Sequence, residues 1–170
     1  QLTCDVDGNV LELNLVGGGL SGSLPANLPL LSSLKSLKVQ SNGISGTLPD
    51  LPASITSVVL SHTGVTGTIP ASWQNLASLT VVSLSNVDVN GQISDLPSGL
   101  QNLELNNVSF SGSIPALSAL RSLVVVDVSD MGGAFPQVSN TLKYMYAAFL
   151  LFLSELKERT DFIFPRNPAA

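Results

Sequence analysis

The chain has 170 residues, with seven Lys+Arg against twelve Asp+Glu and a net charge of −5. The few basic residues are scattered, which excludes the basic stripe of a nucleic-acid binder. The longest apolar stretch, residues 144–153, is about half of what a bilayer-spanning helix needs, so no transmembrane segment is expected. Apolar residues make up 44% but aromatics 5% and charged residues 11%, so the core must come from regularly spaced Leu, Val and Ile. Ser, Thr, Asn and Gly fill the polar positions, which suits an uncharged, hydrogen-bonding surface outside the cell.

Residues 1–9 precede the first strand and read as the remnant of an N-terminal cap, with no signal peptide in front of them. From residue 10 to 136 one phrase recurs six times: an L-x-L strand, then an apolar residue, then x-Gly-x-apolar, usually closed by Pro. It reads LELNLVGGGLSGSLP at 11–25, LKVQSNGISGTLP at 37–49, VVLSHTGVTGTIP at 58–70, VSLSNVDVNGQI at 82–93, LELNNVSFSGSIP at 103–115 and VVVDVSDMGGAFP at 124–136. From Gly22 through Gly46, Gly67, Gly91 and Gly112 to Gly133 the intervals are 24, 21, 24, 21 and 21 residues. A period in the twenties with leucines in this frame is the signature of a leucine-rich-repeat solenoid. The expected fold is an α/β solenoid, a right-handed superhelix with one parallel β-sheet and short helical, 3₁₀ or extended returns.

Within each strand the two L-x-L residues point inward and the residue between them points out. The glycine after each second apolar position is expected to form the tight turn that leaves the strand. After Pro25 and Pro70 the returns ANLPLLSSL and ASWQNLASL space apolar residues three apart, as in 3₁₀ or short α-helix. After Pro49 and Ser94 only DLPASI and DLPSGL follow, three residues shorter, and extended structure is expected there. The sixth strand has two frames: the glycine spacing puts Val124 and Val126 in it, whereas a long return carrying Leu117, Leu120 and Leu123 puts Val126 and Val128 there. The expected central outward column is Asn14, Lys38, Val59, Ser83, Glu104 and Val125, with Asp127 outward in either frame.

Beyond the repeats, Met145, Ala148, Phe149, Phe152 and Leu156 space an apolar stripe on one helix from about 141 to 159. Residues 137–170 are expected to be a C-terminal capping helix and tail covering the open end of the core. A membrane- or partner-binding helix and a segment foreign to the repeats are the competing readings.

Little in the chain supports catalysis, a cofactor or a metal. His62 is the only histidine, too few for a zinc cluster or a histidine dyad, and reads as a surface residue. Asp5 and Asp7 flank one turn and offer two oxygen ligands, thin support for calcium. The glycines at 17–19 lack the strand–GxGxxG–helix context of a phosphate loop. Glu104 and Asp127 would lie on an open sheet with nothing to exclude water, so acid–base chemistry is rejected. Asn107-Val108-Ser109 is the only N-x-[ST] triplet, so Asn107 is the candidate glycosylation site if the protein is secreted.

The phrases GLSGSLP (19–25), GISGTLP (43–49), GVTGTIP (64–70) and FSGSIP (110–115) resemble the plant-specific class of leucine-rich repeat. That class occurs in plant receptor ectodomains, polygalacturonase inhibitors and protist surface proteins. LTCDVDGNVLELNL (2–15) is similar to the family's entry segment, in which a cap cysteine precedes strand one. The resemblance implies a disulfide for Cys4, its partner upstream or on another chain; an unpaired thiol is the alternative. Two departures stand out. Of the family's ladder asparagines only Asn42 is present, with Gly18, Thr63, Val87, Val108 and Ser129 elsewhere, and the period alternates. These departures and Ile69-Pro70-Ala71-Ser72-Trp73 look more like trypanosomatid or other protist surface antigens. The resemblance implies a non-enzymatic, monomeric module, secreted or on the cell surface, binding a protein or a glycan. Contacts are expected at Asn14, Lys38, Gln40, Ser83, Ser85, Glu104, Asn106 and Asp127. An inhibitor of an extracellular hydrolase and a structural coat protein are the alternatives.

Overall fold

The computed structural model describes residues 1–92, 95–110, 122 and 125–127, the last three by their backbone. The tail expected as a capping helix lies outside the described residues.

All six L-x-L phrases contribute to one sheet. Its strands are β2 (Val10–Asn14), β4 (Ser36–Lys38), β6 (Ser57–Val59), β8 (Val81–Ser83), β10 (Asn102–Glu104) and β12 (Val125–Asp127), parallel and adjacent in that order. The short strand β1 (Leu2–Cys4) adds an antiparallel edge against β2, with Leu2 opposite Leu13. The inward row Leu13, Leu37, Val58, Val82 and Leu103 is in register, and the Val126 backbone continues it by pairing with Leu103. The second inward positions, Val39, Leu60, Leu84 and Leu105, are fully buried.

That register settles the frame of the sixth strand. Val126 pairs with Leu103 and Asp127 with Glu104, so the long-return frame is the one formed. The central outward column is Asn14, Lys38, Val59, Ser83 and Glu104, with Asp127 in backbone register beside Glu104; Val125 is in register with the row of Glu12, Ser36, Ser57, Val81 and Asn102. The glycine spacing misplaces the strand by two residues because Gly133 follows its strand at a shorter interval than the other ruler glycines.

A second parallel sheet accompanies the first. It comprises β3 (Ser21–Ser23), β5 (Gly43–Thr47), β7 (Gly64–Thr68), β9 (Asp88–Gly91) and β11 (Ser109–Phe110) in chain order. Here the expected role of the ruler glycines is corrected. Gly22, Gly46 and Gly67 lie inside these strands at φ +99°, +86° and +93°, and they do not make the turn out of the main sheet. A Cβ on Gly46 would come within 3.2 Å of the Ser23 Cβ, and one on Gly67 within 3.1 Å of the Thr47 Cγ2. Glycine therefore serves both the left-handed backbone and the close approach of the neighbouring strand. The turn out of the main sheet is made four residues after the first inward position, by Gly17, Ser41, His62, Asn86 and Asn107, each at φ between +52° and +61°.

The first three returns alternate as their lengths imply, while the short return after Ser94 opens with a 3₁₀ residue at Asp95 where extended structure was expected. A 3₁₀ helix covers Leu28–Leu30 and another Ala71–Asn75, while residues 50–55 are extended into a turn. Pro70 opens the second helix, Trp73 buries its ring completely, and the ring N–H donates to the Pro49 carbonyl at 3.1 Å. The core between sheet and returns is one cluster of Leu, Val and Ile around that Trp.

Candidate binding surface

The outward face of the main sheet divides into three zones. At the N-terminal side Glu12 and Lys38 form an ion pair, Lys38 Nζ to Glu12 Oε1 at 2.9 Å, with both side chains about a third exposed. The next two strands, β6 and β8, offer outward only Ser57 and Val59 and then Val81 and Ser83, with Ser61 and Ser85 just beyond them. The exposed Glu104 and the half-buried Asn106 follow on the next turn.

The serines of the middle zone are covered. Ser61, Ser83 and Ser85 are 6%, 5% and 7% exposed, since each small side chain is flanked by its neighbours across the strands. They are wired together. Ser83 Oγ donates to Glu104 Oε2 at 2.8 Å, which uses its only hydrogen. In the 2.7 Å contact between Ser61 Oγ and Ser83 Oγ, Ser61 must therefore be the donor. The Ser61 oxygen in turn accepts the Ser85 backbone N–H at 3.0 Å. The result is a one-way relay from a backbone N–H through two buried hydroxyls to a carboxylate, in which each bond polarises the next. Ser85 Oγ separately accepts the Asn106 backbone N–H at 3.2 Å.

Of the expected contact residues, Asn14, Lys38, Gln40 and Asn106 are half-buried, Glu104 is exposed, and Ser83 and Ser85 are covered. Asp127 is placed by its backbone register beside Glu104. Ser61 and Glu12, which join this surface through the relay and the ion pair, were not among the expected contacts. Their signal in the sequence is positional, since Ser61 shares the frame of Ser85, and Glu12 pairs in register with Ser36 beside Lys38.

On the flank, between the exit turns and the second sheet, lies a shallow depression of about 350 Å³ whose polar lining includes Thr63, Thr66, Asn86, Asp88, Asn107 and Ser109. Asn107 is exposed at the turn, and its Nδ2 donates to Asn86 Oδ1 at 3.1 Å. Cys4 is exposed on β1. The Asp5 carboxylate, which with Asp7 offered thin support for calcium, is occupied by its own turn. Both its oxygens accept from N–H donors, from Asp7 N at 3.0 Å and from Asn9 N and Nδ2 at 2.8 and 2.9 Å. The side-chain bond from Asn9 is the main cause holding the Asp5 carboxyl below its ordinary value. Among the described residues no group of three or more His, Cys, Asp or Glu is arranged to hold a metal. Nor is any helix among them long and apolar enough to cross a membrane.

Comparison with known proteins adds the relatives. No protein-family profile matches the chain. Over 52 residues it is 46% identical to the receptor protein kinase WSS1 of Oryza sativa subsp. japonica, a match spanning 29% of this chain and only 6% of the kinase. The ectodomain of the receptor kinase SOBIR1 from Arabidopsis thaliana shares the fold with a TM-score of 0.68 at 24% identity, over 77% of each chain. The BIR2 ectodomain from the same plant gives 0.64 at 25% identity, over 82% of this chain and 78% of its own. The chain has the leucine-rich-repeat fold and is similar to the ectodomains of plant receptor kinases. A longer leucine-rich-repeat structure, the Arabidopsis receptor kinase HAESA with the peptide hormone IDA and the co-receptor SERK1, gives 0.54 at 26% identity, over 65% of this chain and 19% of that one. The named relatives of this leucine-rich-repeat protein are all from plants, so the leaning toward a protist surface antigen rests on the departures in its sequence alone.

Proposed function

We propose that this leucine-rich-repeat protein is an extracellular, monomeric binding module that takes a protein or peptide partner on the outward face of its main sheet. The observation that carries this reading is the contrast between the face and what lies beneath it. A buried aliphatic core underlies strands held in register, so Asn14, Lys38, Gln40, Glu104 and Asn106 are presented at fixed spacings, with the Asp127 backbone beside Glu104. Such preorganisation lowers the ordering cost of association. The HAESA structure, which contains a peptide hormone and a co-receptor, supports a protein or peptide over a glycan as the partner. Secretion would open Asn107 to glycosylation, on the flank and away from the outward face, and would suit an oxidised Cys4.

The test compares the intact chain with a variant carrying Ala at Lys38, Glu104 and Asp127, against a library of extracellular proteins and peptides. A partner captured by the first and weakened at least tenfold for the second supports the reading. A partner indifferent to the triple change sinks it.

A further inference from the structure

The outward face is uneven in a way that selects a ligand. Lys38 and Glu104 stand on strands three steps apart, about 14 Å at the usual strand spacing. Between them β6 and β8 carry only serines and valines, so the face forms a trough two strands wide, floored by Ser57, Val59, Val81 and Ser83 and running along the strand direction. That is about the width of one extended chain with its side chains.

The two walls differ in charge balance. Lys38 is neutralised by Glu12 at 2.9 Å, the only salt bridge among the described residues. Among the described residues Glu104 has no such cation, and its Oε2 accepts from the Ser83 hydroxyl at 2.8 Å, which is itself held by the relay from Ser61 and the Ser85 N–H. A side chain that would otherwise sample several rotamers is thus fixed at the rim of a half-apolar trough. The net charge of −5 adds a long-range pull on cations.

We propose that the trough binds an extended peptide segment through an arginine side chain paired with Glu104, an inference that rests on the sheet-face reading above. Arginine is favoured over lysine. Its planar fork donates two parallel bonds to a carboxylate, and its weaker hydration lowers the cost of leaving water beside Val81. The peptide backbone finds hydroxyl and short apolar side chains beneath it, which leave room for main-chain atoms.

The experiment is selection of a displayed library of random eight-residue peptides on the full chain, followed by calorimetry of the enriched peptides. Arginine should be enriched at one position. Glu104→Gln, which keeps the shape and the Ser83 bond but removes the charge, should weaken binding at least tenfold. Replacing the peptide arginine by citrulline should cost the same, and the two changes together little more than either alone. Val59→Trp, which fills the trough, should abolish binding. Peptides lost with Val59→Trp but indifferent to Glu104→Gln overturn the arginine pairing and leave the sheet-face reading standing. Peptides indifferent to both overturn the two together. A library that enriches no peptide overturns the inference, while the sheet-face reading is then decided by whole-protein partners and the triple variant.

Discussion

Two buried polar side chains differ sharply in how they are satisfied, and each fixes a prediction. The Asn42 carboxamide donates to the carbonyls of Val39 at 2.7 Å, Leu15 at 2.8 Å and Gln40 at 3.2 Å, and accepts the Leu20 N–H at 3.0 Å. It therefore ties the first two turns together. Asn42→Ala strands several buried groups at once and should cost about 2–4 kcal/mol. The same position one turn later is Thr63, whose hydroxyl donates to the Leu60 carbonyl at 2.7 Å. Asn42→Thr should recover the equivalent bond to Val39 and lose distinctly less. Urea denaturation of the two variants checks the order, and equal losses would show that a single carbonyl carries the effect. Ser36 is the opposite case. Its Oγ is the one buried side-chain polar atom among the described residues with no hydrogen-bond partner. Ser36→Ala removes a desolvated hydroxyl that gains nothing in return, so stability should stay level or rise by about 1 kcal/mol. A clear loss in the same denaturation experiment would mean that the hydroxyl has a partner in solution.

The strands of the second sheet turn on glycine, and the cost of a side chain should rise along the chain. Gly22, Gly46 and Gly67 share a left-handed φ, so alanine at any of them should cost about 1–2 kcal/mol for the backbone alone. At Gly22 the new methyl meets nothing within 4 Å, whereas at Gly46 it presses on the Ser23 Cβ and at Gly67 on the Thr47 side chain. Thermal unfolding should rank the variants Gly22→Ala as mildest, then Gly46→Ala, then Gly67→Ala, and an equal set would leave backbone strain as the whole effect. This sheet was not legible in the sequence. Its x-apolar-x-Gly phrase, with glycine and proline so close together, reads as a turn, and a single inward residue per strand such as Ile44 or Val65 leaves no period-2 alternation to detect. The exit turns were hidden for another reason. Gly17, Ser41, His62, Asn86 and Asn107 share a backbone conformation but no side-chain chemistry, so the glycine, the histidine and the asparagines each favour it without forming a recurring motif. The main sheet and the first three returns, by contrast, were written plainly in the L-x-L spacing and in return lengths that differ by three residues.

Over the whole molecule, outward positions could be read from strand alternation, but their exposure could not. Ser83 and Ser85 look like surface contacts along the chain, yet their cover comes from neighbouring turns some twenty residues away, and so does the relay that ends on Glu104. The same long-range stacking governs stability. Each turn of a solenoid contacts only its neighbours, so equivalent residues are worth more where both sides are covered. The second inward position shows the gradient: Leu15 is only partly buried, while Leu60, Leu84 and Leu105 are fully covered. Leu60→Ala and Leu84→Ala should each cost about 3–4 kcal/mol, combining lost transfer energy with a cavity the neighbouring turns cannot close. Leu15→Ala should cost about 1–2 kcal/mol, because water already reaches the site and little void remains. Amide hydrogen exchange should follow the same slope in the unmodified chain. Protection is expected to be lowest in β1 and β2 and highest in β6 and β8, with the N-terminal turn opening at a free energy below that of global unfolding. Equal costs for Leu15 and Leu60, together with uniform protection across the six strands, would mean that the chain unfolds as one unit. The outward face would then owe its rigidity to global cooperativity and not to the local cover of each turn.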